Sequence, residues 1–367
     1  MTEPLFGGAF DGRRVLITGD TGFKGAWLAS WLLELGAEVS GLALEPDTDP
    51  ALYNELGLAR RIDHTTADIR DLAAVQDVVR RTRPDVLMHL AAQPLVRRSY
   101  AEPIYTFETN VMGTANVLEA ARGAESLGAV VVITTDKVYR NSETGAAFAE
   151  DDPLGGHDPY SASKACADIL ALSYAKSFLH PMRIPTATAR AGNVIGGGDW
   201  AADRIVPDCV RALSAGETVG VRNPGSVRPW QHVLEPLSGY LWLAALMLAG
   251  DMHVEEAFNF GPEATSDRTV GELVDRFVTT WGSGSWSQLA PIAQPHEAGL
   301  LHLDVSRAAE LLSWHPVWDF ETAVDRTAEW YRRRQLDGAA ASELVRNDIR
   351  TYVAQARHAG LRWASTV

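Results

Sequence analysis

Short apolar runs alternate with longer stretches of helical spacing through the first half of the chain. Residues 14–18 (RVLIT) are a β-rich run that ends in glycines, and residues 23–35 repeat apolar side chains at the helical period. Residues 37–43 and 64–67 read as the second and third strands, 72–81 as a helix, 85–90 as a fourth strand and 109–122 as a helix. Residues 129–134 form a fifth strand, continuously apolar up to its threonine, as a strand covered on both faces is. A helix over 159–178 and a strand over 186–190 complete the alternation. Strands and helices of these lengths in this order predict an α/β fold: a Rossmann-type, doubly wound parallel sheet.

Beyond about residue 190 the alternation loosens. Gly196-Gly197-Gly198 is followed by a helix near 205–215, a short strand at 218–221, an apolar helix around 241–249 and a helix over 270–280. The expected division is a Rossmann-type domain over 10–190, with segments near 230–260 returning to it. A smaller mixed α/β lobe for the substrate covers 191–335, and a helical tail covers 336–367, with surface helices at 346–361.

Composition narrows the partners. The chain has 367 residues, 46% of them hydrophobic and 22% charged, with a formal net charge of −14. A surface that acidic repels nucleic-acid and membrane phosphates, so neither is an expected partner, and an anionic ligand needs its own cationic pocket. Cys166 and Cys209 lie in no metal-ligand or CxxC spacing, so they read as inert packers and no metal is expected. The N-terminus lacks the basic and apolar stretches of a signal peptide, and the run at 241–249 is too short for a bilayer, which makes the cytoplasm the expected location.

Gly19-x-x-Gly22-x-x-Gly25 stands where the first strand becomes a helix. Glycines there let the backbone approach a pyrophosphate at a helix N-terminus, although tight turns use the same residues. Glu45 ends the second strand as a candidate for the ribose hydroxyls, or as a solvated loop acid; no arginine occupies that strand end, which favours NAD over NADP. Asp68 follows the third strand, where it reaches toward an adenine; helix capping by Asp68 or Asp71 is the alternative. Tyr160 and Lys164 share one helix face, so the ammonium favours the phenolate and makes the tyrosine a base; a structural i,i+4 pair has the same spacing. Thr135, Asp136 and Lys137 close the fifth strand, at the sheet edge where such folds bind ligands. An acid beside a base there suits an elimination, provided that Lys137 is neutral; Lys164 is the expected neighbouring cation, and the plain alternative is two loop residues.

With these residues quoted, the chain resembles the extended short-chain dehydrogenases/reductases and, within them, the nucleotide-sugar 4,6-dehydratases. The likeness runs from Thr18-Gly-Asp-Thr-Gly-Phe-Lys-Gly25 through His89-Leu-Ala-Ala-Gln93, Thr135-Asp-Lys-Val-Tyr139, Tyr160-x-x-x-Lys164, Arg190-Ala-Gly-Asn193 and Arg228-Pro-Trp-Gln-His232, over roughly residues 10 to 335. The dTDP- and GDP-sugar enzymes of that family generally carry glutamate where this chain has Lys137, and lysine there matches the branch that acts on CDP-glucose. The resemblance implies a catalytic set of Thr135, Asp136, Lys137, Tyr160 and Lys164. It implies NAD held by Gly19, Thr21, Gly22, Phe23, Lys24, Gly25, Glu45, Asp68, Ile69, Leu90, Ala91, Ala92, Gln93, Thr109, Tyr160 and Lys164. It implies a CDP-glucose site at Gln93, Arg97, Asn193, Arg204, Arg228 and His296, and a homodimer paired through the helices at 109–122 and 159–178. An epimerase or decarboxylase on the same fold needs no Asp-Lys pair.

Overall fold

The computed structural model describes residues 4–141, 145–254, 256–263, 267–290 and 301–365. Seven strands form one sheet: β1 Arg14–Thr18, β2 Glu38–Ala43, β3 Asp63–Thr66, β4 Val86–His89, β5 Ala129–Ile133, β6 Thr186–Ala191 and β7 Ala257–Phe260, in the order β7-β6-β5-β4-β1-β2-β3. Every neighbouring pair is parallel, with Val15 opposite both Val39 and Val86, and Val131 opposite Ala187. The doubly wound α/β sheet expected from the sequence is therefore present.

The apolar runs have a simple physical origin. Successive side chains of a strand point to opposite faces. Val15, Ile17, Val131 and Ile133 enter one buried cluster, whereas Leu16, Val130 and Val132 enter another on the other face. The first cluster is closed by the helices Phe23–Glu34, through Trp27 and Trp31, and Leu234–Leu248; the second by Leu72–Thr82 and Gly113–Arg122. Asp71 caps the helix at Leu72 by accepting from the Ala74 N–H at 3.1 Å, which settles the capping question in favour of Asp71.

Three differences from the sequence reading matter for the site. The helices expected over 109–122 and 159–178 each contain a wider turn, at Glu108–Met112 and Ala175–Leu179. The helix Phe320–Leu336, capped by Asp319 and not assigned in the sequence reading, sets Trp330 against Gly197 and hydrogen-bonds the Tyr331 hydroxyl to the Asp199 carbonyl at 2.6 Å. A Cβ on Gly197 would lie 2.0 Å from that indole, so the glycine is a packing requirement. Finally, the expected surface helix of the tail is a core element. Ala341–His358 buries Leu344, Ile349 and Tyr352, because Tyr352 donates to the buried Glu235 carboxylate at 2.7 Å and stacks on Trp363. No helix of the described residues is long and apolar enough to cross a membrane.

Candidate active site

Parallel strands leave their carboxyl ends, and the helix N-termini that follow them, on one edge of the sheet. A cavity of about 800 Å³ opens there, lined by the glycine loop, the ends of β2 to β6 and the Gly-rich segment beyond β6. It brings together Thr135, Asp136, Lys137, Tyr160 and Lys164 with Gly19, Thr21, Gly22, Phe23, Lys24, Gly25, Glu45, Asp68, Ile69, Leu90, Ala91, Ala92, Gln93 and Thr109. Arg97, Asn193, Arg204 and Arg228 line the same cavity. His296 lies outside the described residues.

The glycine loop is built for a close ligand. Gly19 has φ +80°, and a Cβ on it would sit 2.7 Å from the Ala91 nitrogen. A Cβ on Gly25 would sit 2.1 Å from the Gly19 carbonyl, so the helix Phe23–Glu34 can start tight against the loop only with glycine there. The N-cap of that helix, Gly22, supplies no side-chain cap, so the first-turn N–H groups remain available to an anion. Beside the loop, the buried Asp20 carboxylate is held by the His64 imidazole at 2.7 Å. At the far end Glu45 accepts from the Thr66 hydroxyl at 2.9 Å, and Asp68 is gripped by Arg70 at 2.7 Å. These features fit a dinucleotide, with the pyrophosphate on the helix N-terminus and acidic side chains toward the nucleoside end.

The catalytic candidates occupy the middle of the cavity. Asp158 caps the helix Pro159–Tyr174 by accepting from the Ser161 N–H at 2.9 Å, which fixes the turn carrying Tyr160. Thr135 donates to Asp136 Oδ1 at 2.9 Å and also hydrogen-bonds Tyr160. Lys137 Nζ stands 3.7 Å from Asp136 Oδ1, with the aspartate nearly fully buried. Asp136 Oδ2 is buried without a hydrogen-bond partner and is pressed by Gly192, whose hypothetical Cβ would lie 2.5 Å away.

Electrostatics refine the pairing expected from the sequence. Burial raises the Tyr160 phenol above its ordinary value, and the cation that most opposes this is Lys137, with Arg204 a smaller influence. Lys164 donates to the Ile133 carbonyl at 2.8 Å; burial lowers its ammonium to about 8, while Asp168 holds it up. Lys24, grouped with the dinucleotide from its place in the loop, also feels Arg204, Asp136, Lys164 and Lys137, and burial lowers it to about 7. Lys137 and Arg204 thus act on the phenol, and Lys24 and Lys137 on the Asp136 carboxyl.

The arginine-lined side of the cavity is equally specific. Arg204 pairs with the mostly buried Asp199 at 2.7 Å, and Asp203 bridges Arg97 at 3.1 Å and Arg222 at 2.9 Å. Asn193 Nδ2 is buried without a partner. The sequence reading missed Asn110 as well as Arg222. Asn110 exchanges hydrogen bonds with the Gln93 backbone and donates to Ser163 Oγ at 2.9 Å, tying the loop after β4 to the catalytic helix. No local pattern marks it, since its partners lie 17 and 53 residues away in sequence. The Gln93 side chain hydrogen-bonds the Leu95 backbone and Thr106 within the cavity wall.

Comparison with known proteins agrees with this geometry. The family profile described as GDP-mannose 4,6 dehydratase matches residues 16–327. A CDP-glucose 4,6-dehydratase from Salmonella typhimurium is 44% identical over 88% of this chain and 91% of its own length. A dTDP-glucose 4,6-dehydratase from Streptomyces antibioticus is 31% identical over 87% of this chain and 92% of its own. A crystal structure of a dTDP-glucose 4,6-dehydratase from Streptomyces venezuelae, with NAD bound, is 28% identical, with a TM-score of 0.74 over 88% of this chain and 98% of that one. Fold, cavity and sequence agree, and the chain belongs to the GDP-mannose 4,6-dehydratase family of extended short-chain dehydrogenases/reductases.

Proposed function

We propose that this chain is an NAD-dependent hydro-lyase that converts CDP-D-glucose to CDP-4-dehydro-6-deoxy-D-glucose and water. The observation that carries the reading is the Asp136–Lys137 pair at 3.7 Å beside Tyr160, in a chain 44% identical to a CDP-glucose 4,6-dehydratase. The glycine loop with the uncapped helix at Phe23 would hold the pyrophosphate of NAD, and Glu45 and Asp68 would face its nucleoside end. Bound there, NAD supplies a reversible hydride acceptor for the C4–H bond and a donor for C6. Arg228, Arg204 and Asn193 line the side of the cavity suited to the substrate diphosphate.

The side chains then have distinct work. Tyr160 takes the proton of the C4 hydroxyl, with Thr135 hydrogen-bonded to its phenol. The C4 carbonyl acidifies C5–H, Lys137 removes that proton, and Asp136 protonates the C6 hydroxyl as it leaves as water. The ion pair Asp136⁻/Lys137⁺ is one proton shift from the working pair of a neutral carboxylic acid and a neutral amine. Elimination consumes the acid's proton and charges the amine; as hydride returns to C6, Lys137 gives C5 a solvent-exchangeable proton, and the proton that Tyr160 took from the C4 hydroxyl resets Asp136 by way of Thr135, so the cycle releases only water. Asp136 Oδ2, buried and unpartnered, is the oxygen suited to carry the proton.

Residues 10–190 with the returning segment near 230–260 would bind the dinucleotide, and 191–335 the nucleotide sugar. Nothing in this cycle needs a membrane or a metal, in keeping with a cytoplasmic enzyme. The test is turnover without added reductant: CDP-glucose should be converted far faster than dTDP-, UDP- or GDP-linked sugars, and preference for another nucleotide would refute the substrate. A homodimer accompanies the reading. Met112 and Ile169 (both more than half exposed) and Phe178 are large apolar side chains on the two segments expected to pair, and Ile104 (70% exposed) stands on the preceding helix Pro103–Phe107; a second copy would cover them. Ile169→Glu should shift the sedimenting species from dimer to monomer, and a monomeric parent protein would contradict this.

A further inference from the structure

Asp168 and Arg190 form an ion pair that is almost wholly buried and that the chemistry above does not use. Burying two charges costs several kcal/mol of desolvation before any gain, so a pair kept in the core invites a reason other than stability. Here the pair is fully satisfied. Arg190 grips Asp168 bidentately, Nε to Oδ2 at 2.9 Å and Nη2 to Oδ1 at 2.7 Å. What else the two residues hold is informative. Asp168 Oδ2 also accepts from Thr134 Oγ1 at 2.8 Å, and Thr134 immediately precedes the Thr135-Asp136-Lys137 turn. Arg190 Nη1 donates to the Tyr139 hydroxyl at 2.8 Å and its guanidinium lies 5.0 Å from the centre of that ring; Tyr139 follows Lys137 by two residues. The Tyr139 hydroxyl in turn donates to Asn259 on β7 at 2.7 Å. The catalytic turn is therefore stapled on both sides, and both staples end on the same ion pair.

The pair also reaches the other half of the site. Asp168 lies one helical turn beyond Lys164 on Pro159–Tyr174, and Lys164 donates to the Ile133 carbonyl at the end of β5. The helix that carries Tyr160, the strand end that carries Asp136 and Lys137, and β6 thus meet at one point. Neither Asp168 nor Arg190 lines the cavity, so neither touches a ligand there.

We propose that Asp168, locked to Arg190, is the positioning residue that sets the Asp136–Lys137 turn in register with the Tyr160–Lys164 helix. The inference rests on the dehydration reading, because its signature is a split between the two stages of that reaction. The staples hold the acid–base pair of the elimination, whereas Tyr160 has its own cap at Asp158. Loosening a staple should therefore damage water loss more than C4 oxidation. An error of about 1 Å in a reacting group costs on the order of 10²-fold in rate.

Thr134→Val is the cleanest test. It removes one hydroxyl, keeps shape and leaves the ion pair intact. We expect the kcat for dehydration to fall about 10- to 100-fold, with KM for the nucleotide sugar nearly unchanged and reduced nicotinamide accumulating during turnover. Thr134→Ser, which keeps the hydroxyl, should restore the parent behaviour. Tyr139→Phe should reproduce the split from the other side, and it decides the matter should the valine variant not fold. Parent-like rates in Thr134→Val, equal losses in oxidation and elimination, or a serine variant as impaired as the valine one would overturn the proposal. Should the parent enzyme reject CDP-glucose, the substrate reading fails by itself, and the same comparison runs on whichever nucleotide sugar the parent dehydrates.

Discussion

Lys137→Ala should abolish water loss, by about 10²- to 10⁴-fold in kcat, the usual worth of a positioned acid–base group. The same variant should still oxidise C4. Tyr160, Thr135 and Lys164 are all retained, and the phenol keeps its hydrogen bond to Thr135. On mixing with CDP-glucose, reduced nicotinamide should rise and persist, because the ketone forms while the C5 proton has no base to receive it. Some slowing of oxidation is expected too, since Lys137 is the cation that most favours the phenolate. Rapid-quench analysis of the sugar and the nicotinamide absorbance read the two stages separately. Dehydration at the parent rate would remove Lys137 from the role of base.

Tyr160→Phe should give the complementary result. Its hydroxyl is the group positioned for the C4 proton, and losing it should stop the first stage by about 10²- to 10⁴-fold. No reduced nicotinamide should appear, and no water should be lost, because C5–H is acidic only after C4 has become a carbonyl. The ring is buried and phenylalanine fills the same space, so nucleotide-sugar affinity should change little. If the variant still dehydrates with normal kcat, another group is the base at C4. The two variants together separate a two-stage reaction from a one-stage one, which neither does alone.

Much of this arrangement was legible along the chain, for a physical reason. A parallel strand buried on both faces must be apolar throughout, so β1 and β5 stand out, and the residues that end them lie at the ligand edge. The glycine loop was readable because backbone contacts of the kind at Gly19 and Gly25 admit no other residue. What escaped depends on partners distant in sequence. Trp330 and Tyr331 hold the Gly-rich segment beyond β6, but nothing near residue 330 says so. The tail helix is a core element because Tyr352 meets Glu235 across 117 residues. Charge coupling was the subtlest miss. Spacing on one helix paired Tyr160 with Lys164, whereas in three dimensions burial dominates the phenol, Lys137 is the cation that most opposes it, and Lys164 donates to the Ile133 carbonyl. Lys24 likewise sits in a dinucleotide motif yet shares the field of the acid–base cluster.

The central claim is that one site oxidises C4, eliminates water across C5 and C6, and returns the hydride to C6. Turnover of CDP-glucose in heavy water, with no added reductant, tests it most directly. The account predicts a 4-keto-6-deoxy product with one solvent deuterium at C5 and with the hydrogen originally at C4 now at C6. A product that keeps its C5 hydrogen, or that is a C4 epimer with its C6 hydroxyl intact, would contradict it.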